Sequence, residues 1–245
     1  NSRARLGSFC YHSYMKSVGV IGGLGPETTA EFYLEVVFGC QKINKNQRPL
    51  IVISSVPLIF EIERDLIATN TGKERYIPFL VDEAKRLEKS GVDFLVMPCN
   101  SLHVFIEEIR NAVSIPVLSI VEETIHYMKQ NNFSNVGLIS TSATVKNNVY
   151  ENELHKNNIS FETPSDLEKA KMDKIIQKLI EGRQLNADRD EIVNAANNLA
   201  KTGVDCVALA CTDLQLLLPN STDVPMFDTM KILADATVRE MLSEK

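Results

Sequence analysis

Short apolar runs alternate along the chain with stretches whose apolar positions recur at helical spacing. "SVGVIGG" (17–23) is continuous enough for a strand buried on both faces. "PETTAEFYLEVVFGCQK" follows it and reads as a helix with Pro26 near its first turn. "LIVISSV" (50–56) predicts a second strand. "KERYIPFLVDEAKRLEKSG" predicts a helix closed by Gly91. "VDFLVMP" (92–98) is a third strand, "LHVFIEEIRNAV" (102–113) a helix and "IPVLSI" (115–120) a fourth strand. Strands alternating with helices predict doubly wound, parallel α/β layering.

The pattern then starts again. "NVGLIST" (135–141) mirrors "SVGVIGG" at an offset of 118, from Val18 to Val136. "KTGVDCVALACTD" (201–213) mirrors "KSGVDFLVMPCNS" (89–101) at an offset of 112, from Cys99 to Cys211. "VPMFDT" (224–229) mirrors "IPVLSI" at an offset of 109, from Pro116 to Pro225. Three matches in one order predict two homologous halves of about 110 residues. The expected fold is therefore two pseudosymmetric, doubly wound parallel-sheet domains with the active site between them. Residues 15–116 plus 225–245 form the first and 117–224 the second, the final helix (231–242) packing back on the first half. Residues 1–14 contain no apolar stretch of the kind a secretory signal needs, and read as a leader, vector remnant or disordered tail before Met15.

Composition narrows the function. The 245 residues are 44% hydrophobic and 24% charged, as in ordinary soluble domains. A net charge of -6 disfavours nucleic acid as a partner, and no apolar run reaches the roughly 18 residues that span a membrane. Five cysteines in a chain this long are not a disulfide framework, which predicts a reducing, cytoplasmic setting.

Cys99 and Cys211 each end a predicted strand, where open parallel sheets bind ligands. If the halves face each other, the two thiols approach one cleft from opposite sides. A carbon held between them can lose a proton to one and regain it from the other. The polar pairs after them, Asn100-Ser101 and Thr212-Asp213, are good helix starters, and a helix N-terminus is expected to lower a thiol pKa. Thr141, the second-half counterpart of the glycine loop, is expected to border the cleft. "GGLGPETT" (22–29) lacks the third glycine of a dinucleotide fingerprint and better suits a tight turn at a small anionic substrate. Cys99 and His103 could share a helix face, but no second compact cluster supports a metal site. Cys10, Cys40 and Cys206 read as incidental. Asp228 reads either as a residue orienting the site or as the N-cap of the final helix.

Taken together, Gly-Gly-x-Gly-Pro after the first strand, "MPCNS" and "ACTD" resemble the aspartate/glutamate racemase family over residues 15–245. The resemblance implies a dimeric, cofactor-independent amino-acid racemase with no bound metal, acting on an acidic amino acid, aspartate or glutamate. It makes Cys99 and Cys211 the acid/base pair. It also places Asn100, Ser101 and Thr212 at the amino-acid backbone, Leu24 and Gly25 in the substrate loop, and Lys171 near a side-chain carboxylate, with Lys169 and Lys174 as register alternatives. "SSVPLIFEIERDL" departs from the aspartate-specific pattern, with Arg64 as a substitute, and resembles a branch of broader specificity. Related scaffolds imply two further classes: another isomerase, hydantoin racemase or decarboxylase, and an amino-acid-binding homologue without activity.

Overall fold

The computed structural model describes residues 15–59, 61–62, 72–180, 183, 186–217 and 222–244. Residues 1–14 and Arg64 lie outside them.

The first sheet orders its strands β2 (Ile51–Ser55), β1 (Val18–Gly22), β3 (Phe94–Val96) and β4 (Val117–Leu118), all parallel. The second repeats that order with β6 (Ser160–Glu162), β5 (Asn135–Ser140), β7 (Cys206–Ala210) and β8 (Met226–Asp228). The duplication read from three motifs thus extends to the whole strand order. Every residue of β1 and of β7 is buried, as their unbroken apolar runs require. Strand β6 has no counterpart among the expected elements. It is three residues at a sheet edge, with no residue fully buried, so it leaves almost no apolar signature.

Pairing also corrects the division of the chain. Val117 and Leu118 pair with β3 and belong to the first sheet. Met226–Asp228 pair with β7, so the second sheet extends past residue 224, and only the helix after β8 can be assigned to the first half.

Nine helices are described: α1 (Pro26–Ile43), α2 (Ile77–Lys89), α3 (Ile106–Ala112), α4 (Ile120–Gln130), α5 (Ser142–Lys146), α6 (Glu151–Lys156), α7 (Asp166–Ile180), α8 (Asn186–Ala200) and α9 (Thr229–Met241). The helices expected at 73–91 and 102–113 open as short 3₁₀ segments, Lys73–Tyr76 and Ser101–Phe105. Asp228 is the N-cap of α9, accepting from the backbone N–H groups of Met230 (2.9 Å) and Lys231 (3.3 Å).

The repeated Gly-Val-Asp has a structural reason. Gly91 and Gly203 adopt φ of 83° and 84°, the left-handed turn that closes α2 and α8. Val92 and Val204 are buried. The Asp93 carboxylate then accepts from the backbone N–H (2.6 Å) and hydroxyl (2.7 Å) of Ser17, just before β1. Asp205 does the same before β5, accepting from Ser134 N–H (2.7 Å), Ser134 Oγ (3.0 Å) and Asn135 N–H (2.9 Å). Each carboxylate pins the start of the neighbouring central strand.

One apolar core joins the two sheets. It draws Val18 and Val20 from β1, Phe32 and Val36 from α1, Val136 and Leu138 from β5, and Leu233 and Val238 from α9. Helix α9 runs against α1 so closely that a Cβ on Gly39 would stand 2.8 Å from Val238 Cγ2. The end of α9 is tied to the first half by Lys16, whose N–H donates to Met241 O (2.8 Å) and whose ammonium pairs with Glu240 (2.7 Å).

Asp93→Ala leaves two donors of Ser17 without their charged acceptor. It is expected to lower unfolding stability by about 1–3 kcal/mol, read as a lower denaturant midpoint at unchanged slope. Asp205→Ala, at an exposed position, is expected to cost less. An unchanged midpoint in Asp93→Ala would count against the clamp.

Candidate active site

The carboxyl ends of both sheets deliver their loops to one cleft of about 80 Å³. Cys99, three residues past the end of β3, and Cys211, directly after β7, both line it. Asn100, Ser101 and Thr212 follow them into the lining.

The glycine loop supplies the roof. After β1, Gly23 and Gly25 take φ of 78° and 105°, conformations that favour glycine. They bring Leu24 and Gly25 to the cleft, and a Cβ on Gly25 would meet Asp213 Oδ1 at 2.7 Å. Thr28 on α1 donates to that same carboxylate at 2.8 Å, which ties the first half to the second half's cysteine loop.

Two further hydrogen-bond groups cross between the halves. Thr141 caps α5, accepting from Thr144 N–H at 3.0 Å, and lines the cleft. The hydroxyls of Ser101, Thr141 and Thr144 form a triangle with sides of 3.2, 3.2 and 2.9 Å. Deeper, Tyr150 OH donates to Asn100 Oδ1 (2.5 Å), Asn100 Nδ2 donates to Thr229 Oγ1 (3.0 Å), and Thr229 Oγ1 donates to Leu209 O (2.9 Å). This chain uses most of the Asn100 amide and leaves one N–H for a ligand.

The two thiols have different surroundings. Cys99 is half-buried, whereas Cys211 is 5% exposed. Burial pushes the Cys211 thiol well above its ordinary pKa, and the nearby Asp213 and Cys99 add to that rise. Hydrogen bonds from the backbone N–H groups of Asp213 and Leu214 act the other way. The expected lowering at a helix N-terminus is thus overturned at Cys211: the amides are present, but they belong to a short 3₁₀ segment (Thr212–Leu217) and burial outweighs them.

His103 does not join Cys99 as a ligand pair. Its Nε2 accepts from Ile120 N–H (3.0 Å), so Nδ1 carries the proton and donates to Cys99 O (2.6 Å). Burial lowers its pKa to about 4, and the neutral ring braces the cysteine loop. No cluster of three or more His, Cys, Asp or Glu placed to hold a metal occurs among the described residues.

Of the residues singled out by sequence, Leu24, Gly25, Cys99, Asn100, Ser101, Thr141, Cys211 and Thr212 come together at the cleft. Lys171 does not. It is exposed on α7 and pairs with Glu191 at 2.8 Å. Lys169 pairs with Asp166 at 3.5 Å, and Lys174 is exposed. The buried face of α7 is Met172, Ile175, Ile176 and Leu179, and the residues it turns to the cleft are Asp173 and Ile176. That register was readable from the apolar spacing. Leu58, Tyr76, Leu102, Ala143 and Asp213 also line the cleft without having been anticipated as site residues. Asp213 stood inside a quoted motif, while the others carry no chemical signal in sequence.

The duplicated sheets and the shared cleft define the class, a two-domain α/β protein with the racemase fold. Residues 21–237 match the family described as Asp/Glu/hydantoin racemase, and the chain belongs to that family. It is similar to the broad-specificity amino-acid racemase RacX of Bacillus subtilis, 29% identical over 92% of this chain and 98% of that protein. A candidate Asp/Glu racemase from Yersinia pestis has a crystal structure that superposes with a TM-score of 0.82 at 27% identity, covering 94% of this chain and all of the other. The Picrophilus torridus aspartate racemase superposes at 0.77 with 25% identity, covering 94% and 96%. The chain is accordingly an amino-acid racemase of the Asp/Glu racemase superfamily, an isomerase.

Among Cys40, Cys99, Cys206 and Cys211, only Cys99 is more than 5% exposed. Of these four, iodoacetamide is expected to label Cys99 first, followed by peptide mass spectrometry. Faster labelling of Cys211 would contradict the asymmetry described here.

Proposed function

We propose that the protein racemises an amino acid by moving the α-proton between Cys99 and Cys211. The observation that carries this is the placement of both thiols on one cleft from equivalent strand ends of the two halves. One sulfur, as thiolate, takes the proton from Cα. The electron pair left behind is held by the α-carboxylate, and the opposite thiol donates a proton to the other face. The opposite enantiomer exchanges the roles, so the pair is restored after each round trip. Their titrations are coupled, since charge on Cys99 raises Cys211.

Charge that develops on the α-carboxylate needs donors already in place. Ser101, Thr141 and Thr212 supply hydroxyls at the cleft, and Asn100 supplies its remaining N–H. The steps written here call on no cofactor or metal.

Aspartate or glutamate is the substrate that the family likeness suggests, and the aspartate racemase from Picrophilus torridus supports it. The likeness to broad-specificity RacX supports a wider range. The described cleft favours the wider range, because it is lined by Asp173 and Asp213 and by no lysine or arginine among the described residues.

A homodimer is part of the same proposal, with exposed apolar side chains at Leu34, Phe38 and Ile53 as its support. A monomeric mass by light scattering would exclude it. A cytoplasmic setting is supported by cysteines that form no disulfide among the described residues and by the lack there of any helix long and apolar enough to cross a membrane.

Cys99→Ser and Cys211→Ser are each expected to lower racemisation at least ~100-fold, the usual scale of a lost general acid or base. In heavy water the wild-type protein should introduce deuterium at Cα with inversion. Full activity in either serine variant overturns the two-thiol assignment. Release of carbon dioxide instead of label would indicate a decarboxylase.

A further inference from the structure

We propose that Tyr150 and Thr229 are positioning residues for racemisation: with Leu209 O they form a one-way hydrogen-bond chain that turns the free N–H of Asn100, and not its carbonyl, into the cleft. The proposal rests on the two-thiol reading above, in which that N–H meets the α-carboxylate of the substrate.

The direction of the chain is set at its backbone end. Leu209 O, in β7, can only accept, and Thr229 donates its one hydroxyl proton to it at 2.9 Å. The Thr229 oxygen is then left to accept, so the Asn100 atom 3.0 Å away is the nitrogen. The amide oxygen faces the other way, where Tyr150 OH donates to it at 2.5 Å. A reversed amide would set its oxygen against the Thr229 oxygen with no proton between them.

The three side chains are at most 1% exposed, so water does not stand in for a lost partner. Burial holds the phenol well above its ordinary pKa, and charge on Cys211 raises it further. Tyr150 therefore keeps its proton, and goes on donating, whichever thiol is ionised. Asn100 lines the cleft whereas Tyr150 and Thr229 do not, so both act through it.

The chain also links the parts whose placement has to agree. Asn100 follows Cys99, and Leu209 stands two residues before Cys211. Tyr150 caps α6, and Thr229 is the first residue of α9. Without the Tyr150 hydroxyl the Asn100 oxygen is buried and unsatisfied, and the amide gains by turning that oxygen to the open cleft. There it would repel the α-carboxylate.

The test is α-proton exchange in heavy water, followed by NMR over the standard L-amino acids, with kinetics on the one that wild-type protein exchanges fastest. Tyr150→Phe is expected to lower kcat about tenfold while KM changes less than about threefold, because the donor matters most as charge develops. Asn100→Ala is expected to lower kcat at least as much. In an Asn100→Ala background, Tyr150→Phe should then change kcat by less than about twofold. Thr229→Val should repeat this pattern, and Thr229→Ser, which keeps the hydroxyl, should stay within about threefold of wild type. The Thr229→Val cycle decides the matter where loss of the phenol hydroxyl unfolds the protein. An equal loss of kcat in both backgrounds overturns the proposal, as does an unchanged kcat in Tyr150→Phe or Thr229→Val. Either result leaves the two-thiol mechanism standing. No exchange with any amino acid in the wild type overturns the mechanism, and this proposal with it.

Discussion

The shared apolar core is the constraint on which the rest depends. Neither four-stranded sheet is covered on both faces by its own helices alone. The cluster that buries Val18 and Val20 of β1 also buries Val136 and Leu138 of β5, with α1 and α9 packed into it. Burying each such side chain contributes about 1.5–3 kcal/mol, so separating the halves would be costly. Once the sheets are held in this way, the carboxyl ends of β3 and β7 open into one space. The cleft is thus a consequence of the packing, and its chemistry follows from the residues at those ends.

Polar contacts refine what the core sets roughly. Thr28 to Asp213, Ser101 to Thr141 and Thr144, and Tyr150 through Asn100 to Thr229 each connect one half to the other around the cleft. They lie in partly or fully buried surroundings, where an unsatisfied donor costs more than a formed bond gains. The positions of Cys99 and Cys211 are therefore specified by hydrogen bonds on several sides. His103 adds another, its neutral ring joining Cys99 O to Ile120 N–H.

The sequence made the architecture readable because the duplication repeats physical devices as well as letters. Gly91 and Gly203 turn the chain, Asp93 and Asp205 pin the start of the neighbouring central strand, and both recur at an offset of 112. Edge strand β6 escaped because three half-exposed residues carry no periodicity. The cysteines and their polar neighbours were legible from the same repeat. Lys171 was misplaced because likeness to a motif does not fix helical register. The apolar spacing of Met172, Ile175, Ile176 and Leu179 does, and it turns Asp173 inward. The raised thiol of Cys211 could not be read from sequence, since it depends on how completely the fold removes that sulfur from water.

Fusion of the two halves into one chain frees each thiol from matching the other. A symmetric pair of identical subunits would impose one environment on both sulfurs, whereas here Cys211 is sealed and Cys99 is half open. Mirror-image amino acids have equal free energies in water, so the forward and reverse kcat/KM of a racemase must be equal. The asymmetry cannot tilt the final mixture toward either hand. Under the proposed two-thiol mechanism its effect is confined to the resting protonation state of the enzyme, and so to which hand saturates the protein at lower concentration.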